Sequence, residues 1–298
     1  MQQDKRSSYR SFFWAFAAAF FVLSNLFLFL VVTIHPATPG SLSLDSVSGK
    51  EALNPYTPTA EDALTVLFIG SQTGSSQAGS YILARFDPAR GQVPIVVLPP
   101  QTMVENGEKS EPISTVYHYG GADYTRAALS RTLGIPIDRY VRISTGNFVT
   151  AANVIGSVEF DLPYALSLEK DGIPVTMSQG RQLLDGQKVL GIVTHSGYEG
   201  GEAARCRIAG ELAAAIVNQR IDIVESTLMD KIFEKIINLV DTDISYADYD
   251  TRREAALFLA QLGDSPAFAL NASGRWSEDE AQFVLGDTFL AQLRQNFV

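Results

Sequence analysis

Leu64-Thr-Val-Leu-Phe-Ile-Gly70, then Tyr81-Ile-Leu-Ala-Arg-Phe86, Asp87-Pro-Ala-Arg-Gly91 and Val93-Pro-Ile-Val-Val-Leu98, is the stretch that decides the fold. The apolar runs are short and rich in β-branched and aromatic residues, and glycine or an Asp-Pro turn closes them, so each reads as a strand. Three strands therefore open the domain, the second and third joined by a tight turn. Downstream, Ala122 to Leu133 is amphipathic with Gly134 behind it as a helix stop. Tyr140-Val-Arg-Ile143 and Val158-Glu-Phe-Asp-Leu162 read as strands around a helix near Asn147–Ile155. A hairpin-like stretch, Val175 to Leu184, leads through Asp185-Gly186 to a short helix and an expected strand, Gly191-Ile-Val193. Arg205 to Arg220, Leu228 to Val240 and Ala247 to Leu262 read as helices. No internal repeat is present. Alternating strands and helices predict an α/β domain over residues 63–298, with a mixed central sheet sandwiched by helices.

Upstream of that domain the character changes. Residues 35–62 are rich in Pro, Ser, Thr and Gly without an apolar period, which suits an extended extracytoplasmic linker. Residues 11–34 form an apolar run broken only by polar Ser24, Asn25 and Thr33 after its first residue, Ser11, and long enough to cross a bilayer as a helix. A signal peptide's apolar region is shorter, about 7–15 residues. Lys5, Arg6 and Arg10 precede the run, and beyond it, His35 aside, the next basic residue is Lys50. The positive-inside rule then leaves residues 1–10 as a cytoplasmic tail and everything after residue 35 outside, with the chain held at the membrane by this helix. A net charge of −10 excludes nucleic acid as a partner, because phosphate neutralisation needs Lys and Arg. The single cysteine, Cys206, cannot form an intrachain disulfide, and the His and Cys residues show no zinc-ligand spacing, so no metal site is expected from them.

The order of short phrases resembles the LytR-CpsA-Psr family. The phrases are Leu67-Phe-Ile-Gly-Ser71, Ile82-Leu-Ala-Arg-Phe-Asp-Pro88, Val97-Leu-Pro99, Tyr117-His-Tyr-Gly-Gly121, Leu133-Gly-Ile-Pro-Ile-Asp138, Ile155-Gly-Ser-Val158, Leu184-Asp-Gly186 and Val240-Asp-Thr-Asp243. The resemblance implies a lipid-binding α/β sandwich that, in active members, transfers anionic glycopolymers from a polyprenyl-diphosphate carrier to peptidoglycan. Such chemistry needs arginines on the diphosphate and carboxylates holding a divalent ion against the same oxygens.

Measured against that pattern, the charges are missing. Where active members carry an aspartate after the first strand, this chain has Gln72, and Ser76-Gln-Ala-Gly-Ser80 lacks the family's arginine and aspartate. Pro99-Pro100-Gln101 stands for a proline-arginine-aspartate turn, and Pro112-Ile-Ser114 lacks a lysine or asparagine. Thr194 and His195 stand where an arginine is expected. In Glu202-Ala-Ala-Arg-Cys-Arg-Ile-Ala-Gly-Glu211 only Glu202 and Arg205 remain in register, with Ile208 and Ala209-Gly210 in place of a second arginine and paired glutamines. No catalytic residue is therefore assigned. Gln72, Gln101, His195, Glu202, Arg205 and Arg207 are the candidate ligand-binding residues. Arg205 and Arg207 either clamp a phosphate or pair with Glu202 and Glu211, and His195 is expected to face solvent. Ala209, Gly210 and Ala213 to Ala215 either leave room for a prenyl tail or allow close packing of a helix. The preferred function is a membrane-anchored, non-catalytic binder of a polyprenyl-linked glycan or lipid carrier, without a cofactor. The alternatives are an active phosphotransferase, which alone would need Mg2+, and a scaffold for other envelope proteins.

Overall fold

The computed structural model describes residues 56–71, 78–107, 109–170, 173–221, 225, 229–263 and 265–298. The expected cytoplasmic tail, membrane helix and linker as far as residue 55 lie outside these, as does Gln72. No helix among the described residues is long and apolar enough to cross a membrane.

In chain order the described elements are β1 (Leu64–Ser71), β2 (Ala78–Phe86), β3 (Val93–Leu98), β4 (Met103–Asn106), β5 (Lys109–Pro112), α1 (Ile113–Leu133), β6 (Arg139–Ser144) and α2 (Thr145–Ile155). Then come β7 (Val158–Leu162), β8 (Leu166–Lys170), β9 (Ile173–Met177), β10 (Gly180–Leu184), α3 (Gly186–Thr194), α4 (Gly201–Arg220) and α5 (Met229–Ile237). The chain closes with β11 (Val240–Thr242), α6 (Tyr246–Asp250), α7 (Arg253–Gln261), β12 (Ala267–Leu270), β13 (Gly274–Trp276), β14 (Phe283–Leu285) and α8 (Asp287–Phe297).

A six-stranded mixed sheet in the order β11-β6-β1-β2-β3-β12 carries the fold. β1, β3, β6 and β12 run parallel to one another, and β2 and β11 run against them. The opening strands are apolar throughout because both faces are covered. Val66, Phe68, Ile82, Ala84, Ile95 and Val97 point into one core with α2, α3 and α4. Leu67, Ile69, Tyr81, Leu83, Val96 and Leu98 point into a second core with α1 and α8. The three opening strands and the helix over Asn147–Ile155 thus appear where the sequence places them. The β2–β3 turn is held by Asp87, whose side chain accepts from Arg90 N at 3.2 Å, and by left-handed Gly91 (φ 64°).

The structure also corrects the sequence reading. Gly191-Ile-Val193 is the last part of α3 rather than a strand. Asp185 caps that helix by accepting from Lys188 N at 2.9 Å, and Val189, Leu190, Ile192 and Val193 are all buried, a run too short for its period to separate strand from helix. The halves of Val175–Leu184 do not pair with each other: β9 pairs with β8 and β10 with β7, making one bent antiparallel hairpin outside the main sheet. The helix expected from Ala122 starts nine residues earlier at Ile113 and kinks at Gly121 (φ 68°, ψ −165°). Leu228–Val240 ends as a helix at Ile237 and continues as β11, and Ala247–Leu262 is split into α6 and α7. Beyond Leu262, where no element was expected, β12, the β13–β14 hairpin and α8 complete the sheet and the second core.

Candidate functional site

The parallel strands β1, β3, β6 and β12 end together at Ser71, Leu98, Ser144 and Leu270. In open α/β sheets, ligands bind outside such carboxyl ends. α4 brings its first turns to this edge, and between it, β3 and the β13–β14 hairpin lies a shallow cleft lined by Pro99, Cys206, Arg207, Asn271, Trp276 and Phe283, among others.

Of the candidates, Glu202, Arg205, Arg207 and His195 are brought into one neighbourhood. Arg205 is only 2% exposed. Its Nε donates to Glu202 Oε2 at 2.7 Å, its Nη2 to Glu202 Oε1, and its Nη1 to the Val193 carbonyl at 3.1 Å. Burial alone lowers a guanidinium's proton affinity, but the Glu202 charge outweighs it and Arg205 stays protonated. Arg207 donates to Glu211 at 2.9 Å and 3.1 Å and to the Tyr164 hydroxyl at 3.3 Å. Of the two readings of these arginines, pairing within the helix is the one present. Both carboxylates are therefore answered by a cation four residues away or fewer, and each cation by its carboxylate.

His195 differs from the solvent-facing expectation. It is half-buried, with its ring edge-on to Tyr198 at 5.0 Å between centroids. Gly197 permits this, since a Cβ there would lie 2.9 Å from His195 Nε2. Burial lowers the imidazole's pKa, which favours the neutral ring. Tyr198 is 6% exposed, donates to the Ile192 carbonyl at 2.8 Å, and stands 6.1 Å from Tyr164, so an aromatic chain links His195 to Arg207. Thr194 turns back into its own helix, donating to the Leu190 carbonyl at 2.7 Å. Gln101 makes no hydrogen bond to these side chains, and its backbone carbonyl receives Phe283 N at 2.9 Å, tying its turn to the cleft wall.

Two polar atoms here have no partner among the described residues: Ser80 Oγ and Gln101 Oε1, both buried. Ser80 shares the face of β2 with Ile82, whose cross-strand partner is Val97, so its hydroxyl faces the α4 side of the sheet. Sequence reading passed over it because a serine at a strand start carries no motif. Trp276 was missed as well, because it lies in the stretch where no element was expected. Cys206 is a buried free thiol, as a small core residue would be, and burial pushes its pKa well up. Gly210 packs α4 against the sheet, where a Cβ would meet Ala269 Cβ at 3.2 Å, so at this point the small residues serve close packing.

The donor set does not fit a divalent cation. Mg2+ is held by carboxylates, and both oxygens of Glu202 are engaged by Arg205. No three His, Cys, Asp or Glu side chains converge among the described residues.

Comparison with known proteins agrees with this architecture. The chain is 23% identical over 229 residues to the polyisoprenyl-teichoic acid–peptidoglycan teichoic acid transferase TagV of Bacillus subtilis, covering 72% of this chain and 58% of that protein. It is 22% identical over 193 residues to TagU of Bacillus licheniformis, covering 63% of this chain and 62% of that one. The chain thus spans less than two-thirds of these curated relatives. The crystal structure of B. subtilis TagV superposes with a TM-score of 0.66 at 22% identity, over 79% of this chain and 95% of that one. A structure of TagT bound to LI-WTA superposes at 0.58 and 18% identity, over 80% and 90%. The profile of the LytR_cpsA_psr family matches residues 37–265, most of the sheet and all of α4 included, and the chain is a member of that family.

Proposed function

We propose that this chain is a membrane-tethered, extracytoplasmic protein of cell-wall glycopolymer assembly that binds a polyprenyl-linked glycan, or its lipid carrier, without transferring it. The apolar segment 11–34 serves as the tether and the basic residues before it set the orientation. The observation that carries the reading is the pairing on α4: Arg205 with Glu202 and Arg207 with Glu211. A departing diphosphate needs cations free to take up its developing charge, and these two are already answered. The remaining candidates, Gln72, Gln101 and His195, are amides and an imidazole whose neutral form is favoured. Ser80 Oγ and Gln101 Oε1, buried and without a partner among the described residues, suit a ligand that brings hydroxyl or amide hydrogen bonds instead of charge.

The rival reading, an active phosphotransferase, draws on the buried Glu202–Arg205 pair that remains in register and on relatives named as transferases. Calorimetric titration of the detergent-solubilised full chain with a short-chain polyprenyl phosphate separates the two. Binding unchanged by EDTA is expected. Tightening with Mg2+, or release of polyprenyl phosphate from a polyprenyl-diphosphate sugar, overturns the proposal in favour of the transferase, and absence of binding leaves only a scaffold role.

A further inference from the structure

α1 carries Tyr119 and Tyr124 on either side of its kink, and both stand exposed, by 53% and 41%. In an unbroken helix, residues five apart point about 140° away from each other. With the turn at Gly121 the two ring centroids come instead to 6.0 Å, with 58° between the planes. Gly120 gives Tyr124 its seat, because a Cβ there would come within 2.7 Å of the tyrosine's own Cβ and Cγ. The hydroxyl ends are pinned by the β4–β5 hairpin, where Asn106 and Glu111 project from one face. Asn106 Nδ2 donates to Glu111 Oε2 at 2.9 Å and to the Tyr119 hydroxyl. Tyr119 donates to Glu111 Oε2 at 2.6 Å, and Tyr124 donates to Asn106 Oδ1.

We infer that Tyr119, Tyr124 and Glu111 form a binding site for one organic cation, the side-chain ammonium of a diamino acid in an uncross-linked wall peptide. What the network leaves unspent decides the class of ligand. Both hydroxyl protons are already donated, and Glu111 Oε1 bonds no described residue. Bonds from Tyr119 and Asn106 hold the Glu111 carboxyl below its ordinary pKa, so it is ionised at neutral pH. Two exposed aromatic rings beside a carboxylate oxygen attract an ammonium through the ring quadrupoles and the charge together. A phosphate or a uronate is repelled by the same groups. A divalent metal ion is held through several carboxylate or carbonyl oxygens, and one is free here. Because the rings are fixed by their hydroxyls, the ligand meets a surface that is already ordered. Two rings and one carboxylate suit a single pendant group rather than a folded partner, whose interface covers about 800 Å2 a side. The choice of source rests on the extracytoplasmic reading above: wall peptides carry such an amine before cross-linking, and the net charge of −10 favours a cation.

Saturation-transfer NMR on the full chain in detergent tests this with the tripeptide L-Ala-γ-D-Glu-L-Lys as the probe. The strongest transfer is expected at the lysine Cε protons. Nε-acetylation of the probe should weaken binding about fivefold, the scale of one exposed cation–π contact with an ion pair beside it. Glu111→Gln keeps an oxygen for Tyr119 and Asn106, so it removes the charge without removing the network, and it should lose as much. Tyr124→Leu removes one ring and should lose a similar amount, with an unchanged thermal midpoint of Glu111→Gln serving as the check on folding. Isolated peptidoglycan sacculi should retain the chain, and acetylating their free amines should release it. Absence of tripeptide binding, equal binding of the acetylated probe, or full binding by Glu111→Gln overturns the inference. Binding of the tripeptide without amine-dependent retention on sacculi assigns the cation to a protein's lysine and overturns it too. No lipid takes part in these measurements, so their failure leaves the function proposed above standing, and failure of lipid binding leaves this site standing.

Discussion

Glu202 and Arg205, one helical turn apart on α4, neutralise each other in a setting where Arg205 is 2% exposed. Because the pair is buried, its halves are not independent. Glu202→Gln leaves a guanidinium without its countercharge and is expected to cost about 3 kcal/mol, whereas Glu202→Gln with Arg205→Met restores most of that loss. Urea denaturation of both variants and of Arg205→Met alone closes the cycle, and simply additive losses would show that the pair is uncoupled. The residue scale is where the sequence was most legible about what is missing. Gln101, Thr194 and His195 announce the lack of a permanent cation in any conformation, since an amide and a hydroxyl carry no charge and an ordinary imidazole is mostly neutral at neutral pH. How Arg205 and Arg207 dispose of their charges was not legible. Both readings satisfy the spacing, and only the helix path through the Val193 carbonyl and Tyr164 selects between them.

Among the elements, α1 shows how tertiary contacts extend a helix past a break in its pattern. Gly120-Gly121 interrupts the apolar period, so the sequence supports a helix only from Ala122. In the fold, Ile113, Val116 and Tyr117 are buried in the second core and hold a first segment in place, and Gly121 turns the chain at φ 68°, ψ −165°. That region is open essentially to glycine alone. Gly121→Ala is therefore expected to cost about 1–3 kcal/mol, read as a fall in thermal midpoint, and an unchanged midpoint would refute the strain. Its neighbour is constrained by space instead: a Cβ on Gly120 would lie 2.4 Å from Tyr124 Cδ1. Gly134, by contrast, behaves as its sequence reads, ending α1 in the left-handed conformation at φ 66°.

Across the molecule as a unit, Asp248 of α6 fastens a late segment to the early sheet, accepting from Arg139 of β6 at 3.0 Å and 2.8 Å across 109 residues of sequence. Burial raises the Asp248 carboxyl's pKa, but the bonds from Arg139 and Ser245 more than offset it, leaving it below 3.8. A carboxyl depressed in the folded state stabilises above its unfolded pKa and ceases to as pH falls through the folded value. Asp248→Asn is therefore expected to cost about 1–2 kcal/mol near neutral pH, discounted because Arg139 is a third exposed, and nothing once pH is well below 3.8. Denaturant titration at the two pH values reads this directly, and a pH-independent gap would exclude the mechanism.

The α/β class, the three opening strands and the absence of fixed charge at Gln101, Thr194 and His195 could be read from the chain before it folds, because apolar period and side-chain charge are local properties that survive without coordinates. The separate partners of β9 and β10, the helical state of Gly191-Ile-Val193, and the lining of one cleft by both Trp276 and Arg207 emerged with the three-dimensional arrangement. Each of these depends on which distant segment supplies the missing neighbour. A short apolar run or an isolated tryptophan holds no record of its partner until the sheet has set its strand order.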